Sequence, residues 1–138
     1  SVQVQVVNML QRLQREQGIS FLFIAHDLAM VHHVSHRIGV MYLGRLVEMG
    51  TGSDVYHEPL HPYTKVLVAS IPRPDPHAPR RQPVRGEVPS PLDPPSGCVF
   101  HPRCPWADER CRQEEPAYRE ILPGRFAACH HVERGQGV

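Results

Sequence analysis

The stretch Phe21-Leu22-Phe23-Ile24-Ala25-His26-Asp27-Leu28 decides the fold class. Its first five residues are apolar without interruption. Runs of this kind suit strands buried on both faces, as in the parallel sheets of α/β proteins. His26 and Asp27 then stand at the carboxyl end of the expected strand, and Asp27 is placed to cap a helix over 28–36 that repeats Leu28, Val31 and Val34. On the amino-terminal side, Val6, Leu10 and Leu13 recur at helical spacing, which predicts a helix over 2–16 ended by Gly18. On the other side, residues 38–43 and 45–49 read as two strands joined at Gly44, a hairpin. Thr51 or Ser53 can cap a short helix that stops before Pro59. His61-Pro62 opens another over 62–71, because the first helical N–H needs no partner. One buried strand and a hairpin make a poor sheet, and the sequence opens inside a helix, so residues 1–71 read as part of a larger α/β domain.

The 138 residues carry 15 Lys+Arg against 14 Asp+Glu, a net charge of +1 that offers no long-range field for nucleic acid or an anionic surface. No segment approaches the roughly 20 apolar residues of a membrane span. The opening SVQVQVVNML has neither the basic start nor the continuous apolar core of a signal peptide, so a cytosolic setting is expected. All 15 prolines follow position 58, nine of them between Pro72 and Pro95. Missing donors and restricted φ exclude helix and interior strand there, which predicts an extended linker. Residues 96–138 contain all four cysteines and the lone Trp but little apolar material, and a segment so composed calls for a staple.

Three constellations could carry chemistry. A histidine just beyond a strand end can contact a phosphate or a water, although a surface histidine is the plainer reading of His26. Cys98, Cys104, Cys111 and Cys129 are spaced C-x5-C-x6-C-x17-C, neither the paired knuckles of a zinc ribbon nor a bacterial ferredoxin run. In a cytosolic protein they are metal ligands or free thiols rather than disulfides. His101, His130 and His131 could substitute as ligands, and Arg103, Arg110 and Arg112 could offset negative charge. His57-Glu58-Pro59-Leu60-His61 spells H-E-x-x-H, but Pro59 interrupts the helix that a zinc protease needs, and that reading is rejected. His32 and His36, four apart, are expected on a solvated helix face.

The segment Phe23-Ile24-Ala25-His26-Asp27-Leu28 resembles the switch segment of ABC ATPases. The stretch Met41–Pro72 resembles that family's segment after the switch, and its His61-Pro62-Tyr63-Thr64 run and the cysteine-bearing tail resemble the C-terminal extension of the ATP-binding subunits of oligopeptide and dipeptide importers. The leading SVQVQVVNMLQRLQ resembles the helix after the D-loop in those subunits. The resemblance implies an α/β fold in which residues 1–71 are the C-terminal part of an ABC-type P-loop nucleotide-binding domain and residues 72–138 a Pro-rich, cysteine-bearing extension. It implies that His26 contacts the γ-phosphate of ATP-Mg, as a catalytic and nucleotide-binding residue. It further implies that Cys98, Cys104, Cys111 and Cys129 hold a [4Fe–4S] cluster, with zinc as the second choice.

The implied function is ATP-driven peptide uptake. The implied partners are transmembrane permease subunits, a second ATP-binding subunit and, indirectly, a peptide-binding receptor, with no nucleic acid. The implied location is the cytoplasmic side of the inner membrane. No G-x-x-x-x-G-K-[ST] loop, signature sequence or apolar run ending in Asp-Glu occurs in the 138 residues, so these residues alone are expected not to hydrolyse ATP. The alternatives are a free-standing metal-binding or redox protein derived from an ATPase remnant, and a structural piece completed by a separately encoded half.

Overall fold

A computed structural model describes residues 2–72 and 84–133. The elements in chain order are helix α1 (Val2–Gln17), α2 (Leu28–Val34), strand β1 (Arg37–Tyr42), β2 (Arg45–Thr51), α3 (Gly52–His57), α4 (Pro62–Ser70), α5 (Glu109–Gln113), β3 (Arg119–Leu122), β4 (Arg125–Ala127) and α6 (His130–Glu133). A 3-10 turn at His101–Arg103 precedes α5. The strands form one antiparallel sheet in the order β1-β2-β4-β3. This is a small α/β unit, and its sheet is antiparallel throughout.

Local chemistry explains most boundaries. Gly18 adopts φ +64 and its N–H donates to Gln14 O, closing α1. Asp27 accepts from the N–H groups of Ala29 and Met30 at 3.0 and 3.2 Å and so starts α2. Leu43 and Gly44 both take positive φ, +46 and +76, as a two-residue hairpin turn between β1 and β2 requires. Thr51 caps α3 by accepting from Asp54 N–H at 3.1 Å. Pro62 occupies the first turn of α4.

The strand expected over 21–25 does not form. Residues 18–27 have no helix or strand, and Leu22 and Ile24 are 89% and 93% exposed. A strand needs a neighbour to pair its backbone donors and acceptors. The neighbours in this sheet are all contributed by residues 37–51 and 119–127. The Pro-rich linker expectation falls mostly on residues 73–83, outside the described residues; residues 84–95 contain no helix or strand.

Alternation along β1 buries Ile38, Val40 and Tyr42 on one face. They join Val47, Val55, Val99 and Phe100 in one core. Phe100, fully buried, meets Tyr42 edge-on at 5.3 Å and lies 5.4 Å from Tyr63, ring centroid to ring centroid. The cysteine-bearing tail therefore shares its core with the hairpin, and β4 pairs with β2 through Glu48 opposite Ala127 and Met49 opposite Phe126. Apolar burial that the tail's own composition lacks is supplied by the hairpin.

Truncation of Phe100 to Ala is expected to cost about 3–5 kcal/mol. Hairpin and tail should still unfold in one transition, followed in urea by far-UV circular dichroism and by Trp106 fluorescence. Two separated transitions in the wild-type chain would show that the core is not shared.

Candidate functional site

A buried polar arrangement lies where the hairpin, the turn before α4 and the tail converge. Glu48 on β2 is 1% exposed, and its two carboxylate oxygens accept from Leu60 N–H and His61 N–H, each at 2.8 Å. The buried Thr64 and the buried Arg125 of β4 both lie within electrostatic reach of the same carboxylate. Burial still dominates and raises the Glu48 carboxyl above its ordinary range. Arg125 is held in turn by Glu58, donating to its backbone carbonyl and lying 3.5 Å from its carboxylate.

His61 is 1% exposed and uses both ring nitrogens. Its Nδ1 accepts from Tyr63 N–H at 3.0 Å and caps α4, while the other side of the ring bonds the backbone of Ala128. The ring is therefore the neutral, Nε2-protonated form. This arrangement removes any protease reading of residues 57–61: His57 ends α3, His61 precedes α4, and His61 has no nitrogen left for a metal. His32 departs from the expected solvated face. It is half-buried, stacks on Tyr56 at 4.1 Å and places Nδ1 3.1 Å from Gly52 O.

Ala128 leads directly into the cysteines. Cys111 and Cys129 are buried, Cys98 and Cys104 partly so, and Cys98 and Cys104 pack against the core. Cys98 lies within electrostatic reach of Cys111 and Cys129, Cys104 of all three other thiols, and Cys111 of Cys129, so the four are neighbours. Gly97 makes this possible. It has φ +66, and a Cβ there would stand 2.4 Å from Cys111 O, so only glycine lets the chain approach α5. Next to it, Cys98 N–H donates to Cys111 O at 2.8 Å.

Backbone amides are aimed at the sulfurs. Cys98 receives bonds from the Phe100 and His101 backbone, Cys104 from Trp106 and Cys111 from Asp108. Such donors favour a thiolate, the form that binds metal. Without a cation, burial wins: Cys98 is pushed up to about 11, Cys104 to about 12, and Cys111 is raised as well. The donor set thus fits a thiolate-bound centre, whose formation would release protons.

Of the nearby arginines, Arg110 pairs with Glu114 at 2.9 Å and Arg112 with Glu109 at 3.5 Å along α5, so both are engaged by acids. His101 Nδ1 lies 3.0 Å from Cys98 O, and His130 Nε2 donates to Glu114 O at 2.9 Å. His26 is exposed on the segment between α1 and α2, away in sequence from the cysteines. Between hairpin and tail lies a cleft of about 300 Å³ bordered by Arg45, His61, Cys98, Glu115 and Tyr118, with Arg45 and Glu115 ion-paired at its edge.

Residues 47–111 match the family described as the oligopeptide/dipeptide transporter, C-terminal region. Over 94% of its length the chain is 58% identical to YkfD of Bacillus subtilis, provisionally named an oligopeptide transport ATP-binding protein. Over 91% it is 56% and 54% identical to the oligopeptide transport ATP-binding proteins OppF of Salmonella typhimurium and Escherichia coli. The chain spans 37–40% of the length of these three relatives. No helix among the described residues is long and apolar enough to cross a membrane.

The buried Glu48–His61 arrangement has a pH signature. Burial holds His61 at about 4, below the ordinary 6.5. Its stabilising contribution is full above pH 6.5 and is lost as pH falls from 6.5 toward 4, at about 1.4 kcal/mol per pH unit. Glu48, raised by burial, acts in the opposite sense, since its protonation favours the folded state. The melting temperature is expected to fall between pH 7 and 4.5, and the fall should be shallower in His61→Asn, which keeps a capping acceptor. An equally steep profile in that variant would assign the acid sensitivity to another group.

Proposed function

We propose that the chain is part of an ATP-binding protein of oligopeptide ABC transport, the family whose C-terminal region its residues 47–111 match, and that it works within an ATP-driven importer of short peptides, at the cytoplasmic face of the membrane. The observation that carries this reading is the match itself, because it includes the buried elements on which the unit is built: Glu48, His61-Pro62-Tyr63, Phe100 and three of the cysteines. In this reading the partners are membrane-spanning permease subunits and a second ATP-binding subunit, with a peptide-binding receptor supplying substrate. Dipeptides and longer peptides both fall within the solute class.

His26 is assigned to the γ-phosphate and the attacking water. Its exposure at the end of an irregular apolar segment leaves the side chain accessible to a nucleotide held by other parts of the whole subunit, together with magnesium. A donor aimed at charge that develops in the transition state affects turnover far more than ground-state binding. Cys98, Cys104, Cys111 and Cys129 are assigned to one metal centre. The choice of [4Fe–4S] over zinc rests on the likeness of this tail to the cysteine-bearing extension of peptide-importer ATPases, with zinc as the second choice. Bound there, the group would supply a covalent staple between the turn at 98–104, α5 and the end of β4.

Two experiments test the reading. In the whole subunit, His26→Ala is expected to lower ATP turnover by roughly 100-fold or more with nucleotide affinity nearly unchanged, while the 138-residue chain alone shows no magnesium-dependent hydrolysis. Near-normal turnover with collapsed affinity would remove His26 from the chemistry. Anaerobically purified protein is expected to be brown and to contain about four iron and four acid-labile sulfide per chain, and Ser at any one of the four cysteines should loosen the tail without altering His26. Colourless protein with one zinc would shift the assignment to zinc; an ordered, metal-free tail with four freely titrating thiols would overturn it.

A further inference from the structure

One cluster in the tail is not explained by the four-cysteine assignment. Asp108, Cys111 and His131 place a carboxylate oxygen, Sγ and a ring nitrogen within 4.8 Å of one another. Cys111 Sγ and His131 Nε2 are 3.7 Å apart. A tetrahedral zinc ion bonded to sulfur at about 2.3 Å and to nitrogen at about 2.0–2.1 Å spaces those two donors at about 3.6 Å, so the pair already stands at ligand separation.

Two contacts hold the cluster in place. Asp108 caps α5, its Oδ1 accepting from Cys111 N–H at 3.0 Å, which fixes carboxylate and thiol on the same turn. His130 Nε2 donates to Glu114 O at 2.9 Å, docking α6 against the end of α5 and presenting His131 to Cys111. His130 itself is 2% exposed. One thiolate, one imidazole and one carboxylate form a donor set for a cation of intermediate softness, and three protein ligands leave a fourth position for water.

We propose that Asp108, Cys111 and His131 form a mononuclear site for a divalent cation of zinc type, distinct from the four-cysteine centre but sharing Cys111 with it. Because one sulfur serves both, the two occupancies exclude each other: zinc on the mixed site withholds Cys111 from the thiolate centre. Binding releases the Cys111 thiol proton to solvent, and no electron transfer is involved. The proposal does not require that the four-cysteine centre form.

Cobalt(II) titration of the reduced, metal-free, anaerobic 138-residue chain tests it, because sulfur-to-cobalt absorption reports the number of thiolates. The expected result is one tetrahedral cobalt with the absorption of a single thiolate, displaced by zinc. His131→Ala and Asp108→Asn should each weaken binding about tenfold or more, while Cys98→Ser and Cys104→Ser leave it unchanged. Asn caps a helix as well as Asp, so Asp108→Asn retains α5, and circular dichroism confirms that each variant is folded. Four-thiolate absorption that is lost in Cys98→Ser and indifferent to His131→Ala would overturn the mixed site while supporting the four-cysteine centre. Failure of the folded chain to bind cobalt at all would also overturn it. Iron and sulfide content of the anaerobically isolated protein reports on the other centre independently.

Discussion

A buried carboxylate that accepts two adjacent backbone amides sets the rest of this structure. Removing Glu48 from water is costly unless its oxygens are satisfied, and the amides of Leu60 and His61 satisfy them. That requirement pins the proline-flanked turn against β2. The turn in turn orients His61, whose ring caps α4 on one side and bonds the Ala128 backbone on the other. Tyr63, two residues on, completes the ring cluster with Tyr42 and Phe100. Hairpin, turn and tail are thus joined through one acid and one neutral imidazole, and the last link ends beside Cys129.

The position of the cysteines follows from this arrangement. Val99 and Phe100 enter the hairpin core, which places Cys98 and Cys104 at its margin. Ala128 N–H bonds Val47 O at 2.9 Å, which brings Cys129 to the same margin. The thiols are positioned by packing and by strand pairing before any cation is considered. A site organised in this way loses little further freedom when a ligand binds.

Much of the local structure was legible in the sequence because it depends on neighbours in the chain. Asp27, Thr51 and Pro62 mark helix starts by their own chemistry, and Gly44 marks a tight turn. The alternation from Ile38 to Tyr42 has the period of a half-buried strand. What could not be read depends on distant partners. The apolar run 21–25 has the composition of a buried strand, but composition does not supply a neighbour. Nothing in the sequence marks Glu48 as buried, since its partners lie 12 and 13 residues away and are main-chain groups. The short strands β3 and β4 carry too few residues for a periodic signal. Asp108 signals itself weakly as the residue before a helix, whereas its meeting with His131 depends on how α6 docks. The cysteines were found by type and spacing, and His26 by its likeness to a known switch segment; neither route indicates what surrounds them.

The segment from Phe21 to Ala25, with Leu22, Ile24 and Ala25 exposed, has a consequence for handling the chain in solution. It combines β-prone side chains with no charge and no proline, and it belongs to no strand of the sheet. Those are the properties of an edge that recruits copies of itself into intermolecular strands. Residues 21–25 therefore carry the sequence features of intermolecular strand pairing while standing outside the folded core. Colloidal behaviour and folding stability can then be changed separately: a lysine in place of Leu22 or Ile24, both almost fully exposed, would act as a gatekeeper against fibrillar pairing while leaving the packed sheet untouched.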